Sequence, residues 1–318
     1  MSVQVRIEER RPKKGSPEQR VATSLEVDAA LLFTSVMWAS TFTLFKVAWE
    51  EIDPVAFTAL RFAAMVVVAV AVVLLARDRV RPGRSDLPAL AASGFTGYFL
   101  YQMAFVLGLD RTSAIASSIL VATHPIFSVV FLALLGRERP GKAQWTGVGV
   151  GFLGVAVFLG AGEAFEAATW GDLLSLGAAA AFGAYGVINQ PLTRRYPGRE
   201  LMAYTLGVGG VLIFLTGLPA IARQDWSVVS GPTWLIMSYA IVGPVYLAYG
   251  LWNWAIKKRG VARTAVFGFT TPVLAGVFAV LFLGERIEPH HLVGAALVLA
   301  SLMVVRLVGA PSRRPDAA

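Results

Sequence analysis

The sequence predicts an all-α membrane protein whose ten transmembrane helices form a 5+5 inverted-topology repeat with both termini in the cytoplasm. Three observations predict it. Apolar stretches near twenty residues recur from end to end, positive charge collects in alternate linkers, and the second half repeats the first at a fixed offset. Of the 318 residues, 56% are hydrophobic and 15% charged, against roughly a quarter charged in soluble domains. Mean hydropathy is +0.64. A single soluble core cannot hide that much apolar surface.

The chain opens on a polar, basic stretch, residues 1–27, expected as a disordered cytoplasmic tail. No apolar core follows its first charges closely enough for a secretory signal. Spans of about twenty apolar residues then fall at 28–49, 54–76, 87–108, 112–135, 144–161, 172–190, 200–222, 233–255, 264–284 and 291–309. Such lengths fit helices, since barrel strands would run roughly ten residues with alternating polarity. The linkers between them are too short to hold a soluble domain. The fifth span, "GVGVGFLGVAVFLGAG", and the sixth, "GAAAAFGAYG", carry runs of small residues that permit close helix–helix approach. "GVGVGFLG" lies inside a span and not after a soluble strand, so it is packing and not a nucleotide loop.

Of 28 Lys and Arg residues, 23 lie in the two tails and alternate linkers on one side. Arg111, Arg223 and Arg286 lie on the other, and Lys46 and Arg61 fall within spans. The positive-inside rule puts the rich side in the cytoplasm. The net charge of +8 is accounted for in the same way, so no nucleic-acid partner is expected. A shift of 147 residues brings Pro125 onto Pro272, Glu138 onto Glu285, Arg139 onto Arg286 and Gly147 onto Gly294. A repeat unit of five helices, an odd number, must insert its second copy upside down. Residues 28–161 are therefore expected as the first five-helix unit, 172–309 as the second, inverted one, and 310–318 as a C-terminal tail.

The stretches "MWASTFTLFKVAWEEIDPVAFTALRF", "LDRTSAIASSILVATHPIFSVVFLALLGRERP" and "KKRGVARTAVFGFTTPVLAGVFAVLFLGERI" resemble the EamA-type ten-helix branch of the drug/metabolite transporter superfamily, over residues 28 to 309. Within it the chain is most similar to aromatic amino acid exporters of the YddG type. The resemblance implies a 5+5 inverted repeat, a central cavity, and export of amino acids or related metabolites. That family carries Arg at the position of Arg61 and packs its second helix peripherally there, which implies a carbonyl or headgroup partner for Arg61.

Polar groups inside spans are functional candidates by default. Lys46, near the outer end of the first span, either snorkels outward or attracts the carboxylate of a departing substrate. His124 precedes Pro125 in mid-span, and Pro272 stands at the repeat-equivalent point; proline bends a helix and frees a carbonyl, so Pro125 and Pro272 are read as gating kinks. In the third span Tyr98, Tyr101, Gln102 and Phe105 fall at i, i+3, i+4 and i+7, one helical face. The shift places Tyr249 and Trp252 on the eighth span, and the two faces are expected to oppose one another. Trp38, Ser40 and Thr41 on the first span and Tyr185 and Asn189 on the sixth complete a pocket of rings and neutral hydrogen-bond groups. The expected substrate contacts are thus Trp38, Thr41, Tyr98, Tyr101, Gln102, His124, Tyr185, Asn189, Tyr249 and Trp252.

Absences exclude other classes. There is no cysteine, hence no disulfide framework, thiolate metal site or cysteine nucleophile. No HExxH motif and no mid-span carboxylate leave an intramembrane enzyme little to work with; no catalytic residue, metal or cofactor is expected. The missing mid-span acid also disfavours cation–proton exchange, so gradient-driven uniport is the simpler expectation. The expected function is export of amino acids, aromatic or bulky apolar ones favoured, across a bacterial inner membrane. The protein is expected to work as a monomer whose partners are its small-molecule substrate and membrane lipid. The alternative is a broad drug, purine or nucleotide-sugar carrier, proton-coupled or not; phosphate groups would call for several convergent cations.

Overall fold

A computed structural model describes the backbone of residues 17–136, 140–159, 169–259, 264 and 266–308, with side chains except at 17–24, 249, 253, 256, 257, 259, 266 and 306–308. Every regular element among them is helical. We label the helical stretches in chain order: α1 Pro17–Ala48, α2 Pro54–Leu75, α3 Leu87–Gly94 continuing through Phe95–Leu100 into Tyr101–Arg111, α4 Ala114–Ala122 and His124–Leu134, and α5 Lys142–Phe158. There follow α6 Trp170–Asn189, α7 Gly198–Arg223, α8 Gly231–Val242 continuing through Gly243–Leu247 into Ala248–Arg259, α9 Val266–Phe269 and Thr270–Leu283, and α10 Pro289–Val308. Seven stretches among the described residues are long and apolar enough to cross a membrane, those of α1–α4 and α6–α8; Phe267–Leu283 and Pro289–Val305 are shorter apolar helices.

The ends of these helices follow local chemistry. Asp53 accepts from the N–H groups of Val55 and Ala56 ahead of Pro54, satisfying donors that the first turn leaves unpaired. Ser113 does the same for Ala116, and Thr169 and Asp172 form a reciprocal capping box at α6. Residues 1–27, expected as disordered, are helical from Pro17 onward. Once the membrane helix is nucleated, each further residue extends it cheaply. Residues 1–16 and 309–318, together with Glu138 and Arg139, lie outside the described residues.

α2 lies along α7, α5 along α10, α3 and α4 against α6, α8 and α9 against α1, and α4 against α9. Each of these pairings maps onto itself or onto another in the set under the 147-residue shift. Small residues set the closest approach: Gly147, Gly151 and Gly154 of α5 face Val305, Ser301 and Val298 of α10. The linkers gather at two ends. At the Arg-poor end Asp53 N–H donates to Gln224 Oε1 (2.8 Å), Ser230 N–H to Glu51 (2.8 Å), and Thr112 to Asp172. At the Arg-rich end Asp86 is held by Arg195 and Tyr196, and Asp78 by Arg199 (2.6 Å). The Arg199 guanidinium holds the Asp78 carboxyl below the usual carboxylate range.

Two backbone irregularities recur at the repeat distance. α3 widens into a π turn at Phe95–Leu100 and α8 into one at Gly243–Leu247. π turns inside α-helices frequently mark functional sites. α4 breaks at Thr123 and α9 changes from a 3₁₀ turn to α-helix at Thr270, positions again 147 apart. Pro125 is therefore not a kink within a continuous helix. It stands in the first turn of a new helical segment, where its missing N–H costs nothing.

Candidate functional site

The face of α3 read from the sequence is built as expected, and it packs on α6. Gly97, in the π turn, lets the ring of Tyr185 lie directly on the backbone; any Cβ at 97 would collide with that ring. Tyr98 sets its ring edge against Tyr185 (6.1 Å between centroids, 71°), and Tyr185 lies beside Phe182 (5.4 Å). Phe182 in turn meets Tyr101 at 4.8 Å and receives the edge of His124 at 4.9 Å and 88°. Asn189 Nδ2 donates to the Tyr185 hydroxyl (3.2 Å), and Ser93 donates to Asn189 Oδ1 (2.9 Å). Tyr98, Tyr101, His124, Phe182, Tyr185 and Asn189 are all half-buried. Five of these six were expected from the sequence.

The ring contacts continue through α1 and α2 and close on themselves. Tyr101 stacks on Phe105 (6.0 Å, 17°), Phe105 meets Phe45 (6.5 Å), and Phe62 meets Tyr98 (6.4 Å). The Arg61 guanidinium joins the two ends, 4.8 Å from the Phe45 centroid and 5.0 Å from that of Phe62. Seven rings and one cation thus form a circuit spanning α1, α2, α3 and α6. Arg61 is 4% exposed, inside the bundle and not at the periphery, because Phe45, Phe57 and Phe62 build a core around this stretch of α2. Gln102, 6% exposed, leaves its Nε2 without an acceptor.

The residues of α1 and α8 make a separate group. Trp38 sets its ring against Trp252 (5.1 Å, 50°) and donates its Nε1–H to the Pro244 carbonyl in the π turn of α8 (2.9 Å). Thr41 donates to the Trp38 carbonyl (2.6 Å), and Ser40 shares a 2.7 Å hydrogen bond with Tyr239. α3 and α8 each pack on a helix of their own, α6 and α1, which also supplies the aromatic at each π turn. The Tyr249 side chain lies outside the described residues. Pro272 is buried.

At the Arg-poor end is a cavity of about 370 Å³ lined by Lys46, Trp49, Glu50, Asp110, Leu283 and Glu285. Lys46 follows Phe45 directly, and Asp110 lies five residues beyond Phe105, about 7.5 Å along the helix. Glu285 accepts from the N–H groups of Ala114 (2.6 Å) and Ile115 (3.0 Å), tying the end of α9 to the start of α4. A larger cavity of about 490 Å³ adjoins it, sharing Asp110 and lined also by Asp172, His290 and His291. No group of three or more His, Asp or Glu side chains fit to hold a metal occurs among the described residues.

Two features of this site escaped the sequence reading. Phe182 stands three residues before Tyr185, but in "AAAAFGAY" the alanines read as packing. Arg61 was placed at the periphery by resemblance, although a cation seven residues into an apolar span carried its own signal.

The chain is similar to known proteins over nearly its whole length. The family model for the EamA-like transporter family matches twice, at residues 27–160 and 169–307. A "probable terminal-alkyne amino-acid exporter" from Streptantibioticus cattleyicolor is 31% identical over 87% of this chain and 92% of its own length. An uncharacterized transporter from Archaeoglobus fulgidus is 26% identical over 86% of this chain and 94% of its own. A protein of known crystal structure shares the fold with a TM-score of 0.59, covering 87% of this chain and 97% of that one at 24% identity. Relatives of this kind are transporters or exporters and not enzymes. With two family matches spanning nearly the whole chain, an all-helical apolar bundle and polar groups held in its interior, the protein is a multi-pass membrane transporter that belongs to the EamA-like transporter family.

Proposed function

We propose that the protein exports amino acids, favouring those with aromatic or bulky apolar side chains, by alternating access at a bacterial inner membrane. The observation that carries this reading is the ring circuit. Tyr98, Tyr101, Phe182 and Tyr185 offer faces and edges to a planar or bulky apolar group, while His124, Asn189 and Ser93 supply polar groups for an amino acid's ends. A ring contact is worth roughly 0.5–1.5 kcal/mol beyond its burial. The name given to the Streptantibioticus relative supports an amino acid with an unpolar tail. Lys46, among three carboxylates at the Arg-poor mouth, lies on the exit path.

Ten crossings in two inverted five-helix units, 28–161 and 172–309, complete the proposal, with both termini cytoplasmic and the monomer as the working unit. The doubled family match, the π turns 147 residues apart and the 23-to-3 charge distribution support it. Gradient-driven uniport is supported by the position of the buried acids: Asp86, Asp172 and Glu200 all lie at helix ends with partners.

The test is purified protein in liposomes, assayed with radiolabelled amino acids, purines and quaternary cations, with and without a pH gradient. Phenylalanine and tryptophan should be carried, and collapse of the gradient should barely change the rate. Strict dependence on ΔpH that His124→Ala abolishes would overturn uniport. Val80→Cys and Pro140→Cys should label from the cytoplasm, Ala168→Cys and Val228→Cys from outside; outside labelling at 80 overturns the orientation.

A further inference from the structure

Among the described residues Arg61 is a charge without a counter-ion. It sits seven residues into α2, about 10 Å along the helix from its start, at 4% exposure. Its Nε has no hydrogen-bond partner, and none of the ion pairs among the described residues includes it. The rings of Phe45 and Phe62 cover its faces at 4.8 and 5.0 Å. On the adjacent α3, Gln102 Nε2 is a second buried donor with nothing to donate to. An uncompensated buried cation is strongly unfavourable. Ring faces attract the guanidinium but leave its in-plane N–H donors unused.

A guanidinium fork matches the two oxygens of a carboxylate. We propose that Arg61 binds the carboxylate of the transported molecule, with the molecule's apolar end against the rings of Tyr98, Tyr101, Phe182 and Tyr185. The assignment rests on the export reading above for its direction and goes further in naming the substrate class: amphipathic monocarboxylates. The equivalent of Arg61 under the 147-residue shift is Val208, so the site has one such anchor and one polarity, carboxylate toward α2 and apolar tail toward α6. A single cation suits a monoanion; a phosphate would want several convergent ones.

The test separates the carboxylate from the rest of an amino acid. Purified full-length protein is titrated with 3-phenylpropionate, 3-phenylpropionamide and inorganic phosphate, read by its melting temperature, for wild type, Arg61→Lys and Arg61→Gln. The acid should stabilise the wild type, whereas the amide and phosphate should not. Arg61→Gln should weaken the acid by about tenfold or more, as loss of a charge-assisted fork requires, and Arg61→Lys should fall between. Equal response of the wild type to acid and amide, no response to the acid, or undiminished acid binding by Arg61→Gln would each overturn the assignment. Should Arg61→Gln fail to fold, the wild-type contrast of acid and amide and the Arg61→Lys titration still decide. Phenylalanine flux in liposomes keeps the two readings apart. Arg61-dependent binding of the acid without amino-acid flux leaves the anchor standing and removes the export reading. Equal phenylalanine flux in wild type and Arg61→Gln does the reverse.

Discussion

Tyr185 meets Gly97 in the π turn of α3, and Trp38 meets Pro244 in the π turn of α8, and both members of the two pairs are 147 residues apart. The backbone plan is shared, but the chemistry hung on it is not. Around Tyr185 the hydroxyl accepts from Asn189, which accepts from Ser93; the equivalents of Asn189 and Ser93 are Phe42 and Ala240. Trp38 satisfies its own N–H on the Pro244 carbonyl and covers the rest of its ring with Trp252. Arg61 closes the ring circuit, and Val208 stands at the repeat-equivalent position. The difference teaches that similar packing need not mean similar use. One π turn holds a tyrosine whose hydroxyl ties it to Asn189; the other holds a tryptophan whose N–H bonds the turn's own carbonyl.

The sharpest way to break that comparison is at the turns. Gly97→Ala puts a methyl group into the Tyr185 ring, and overpacking of this kind costs about 1–3 kcal/mol. The ring must swing away from Tyr98 and Phe182, so transport should fall by about tenfold or more. Pro244→Ala keeps the carbonyl that Trp38 uses and should change transport by about twofold at most. Equal losses from the two would show the turns to be equivalent scaffolds.

Ring removal comes next. Tyr101→Ala should weaken aromatic substrates by roughly three- to tenfold and hardly move alanine. Trp252→Ala should cost stability and affect phenylalanine, tryptophan, leucine and alanine alike. Competition of the four substrates in each variant reads this directly. A selective loss of aromatic substrates in Trp252→Ala as well would place the α1–α8 group in the site.

The circuit was legible in part because its α3 and α6 members announce themselves at helical spacing: Tyr98 and Tyr101, Tyr185 and Asn189. Which helix each face meets was not legible. Periodicity locates a face but not its partner: that α3 packs on α6 and α8 on α1 is a pairing the shift of 147 relates but does not name. Phe62 sits in a largely apolar run, where buried and lipid-facing positions are both apolar and the periodic signal is lost. Arg61 was visible as a lone charge in this run, but the rings that cover it come from α1 as well as from α2. The break in α4 fell two residues from the proline that marks it, because proline begins helices as readily as it ends them.

A smaller effect is expected from the hydrogen bond that satisfies Trp38. Trp38→Phe keeps a ring against Trp252 and leaves the Pro244 carbonyl without its donor, which should cost about 1 kcal/mol of stability. Substrate selectivity should not change, since this N–H already has its acceptor in the fold. Denaturation measured alongside the four-substrate competition separates the two; altered selectivity at unchanged stability would put Trp38 in contact with substrate.

The last difference lies at the helix ends and depends on pH. At the Arg-poor end the Ser230 N–H donates to the Glu51 carboxylate (2.8 Å), whereas its repeat equivalent at the Arg-rich end, the Gly83 N–H, donates to the Tyr196 hydroxyl (3.0 Å). One tie uses a titratable acceptor and the other a neutral one. The Ser230 N–H, with the hydroxyls of Thr233 and Ser230, holds the Glu51 carboxyl below its ordinary value of 4.5. A carboxyl whose folded-state pKa is depressed stabilises the fold fully above the unfolded value and loses that contribution as pH falls through the folded one. Glu51→Gln keeps an oxygen acceptor but not the charge. The melting temperature of the wild type should therefore exceed that of Glu51→Gln by a small, constant margin from pH 7 to about 5, and the margin should close as the pH is taken below 4.5. A margin that persists unchanged through that window would mean that the charge on Glu51 does not hold Ser230, and that the two ends are tied in the same neutral way.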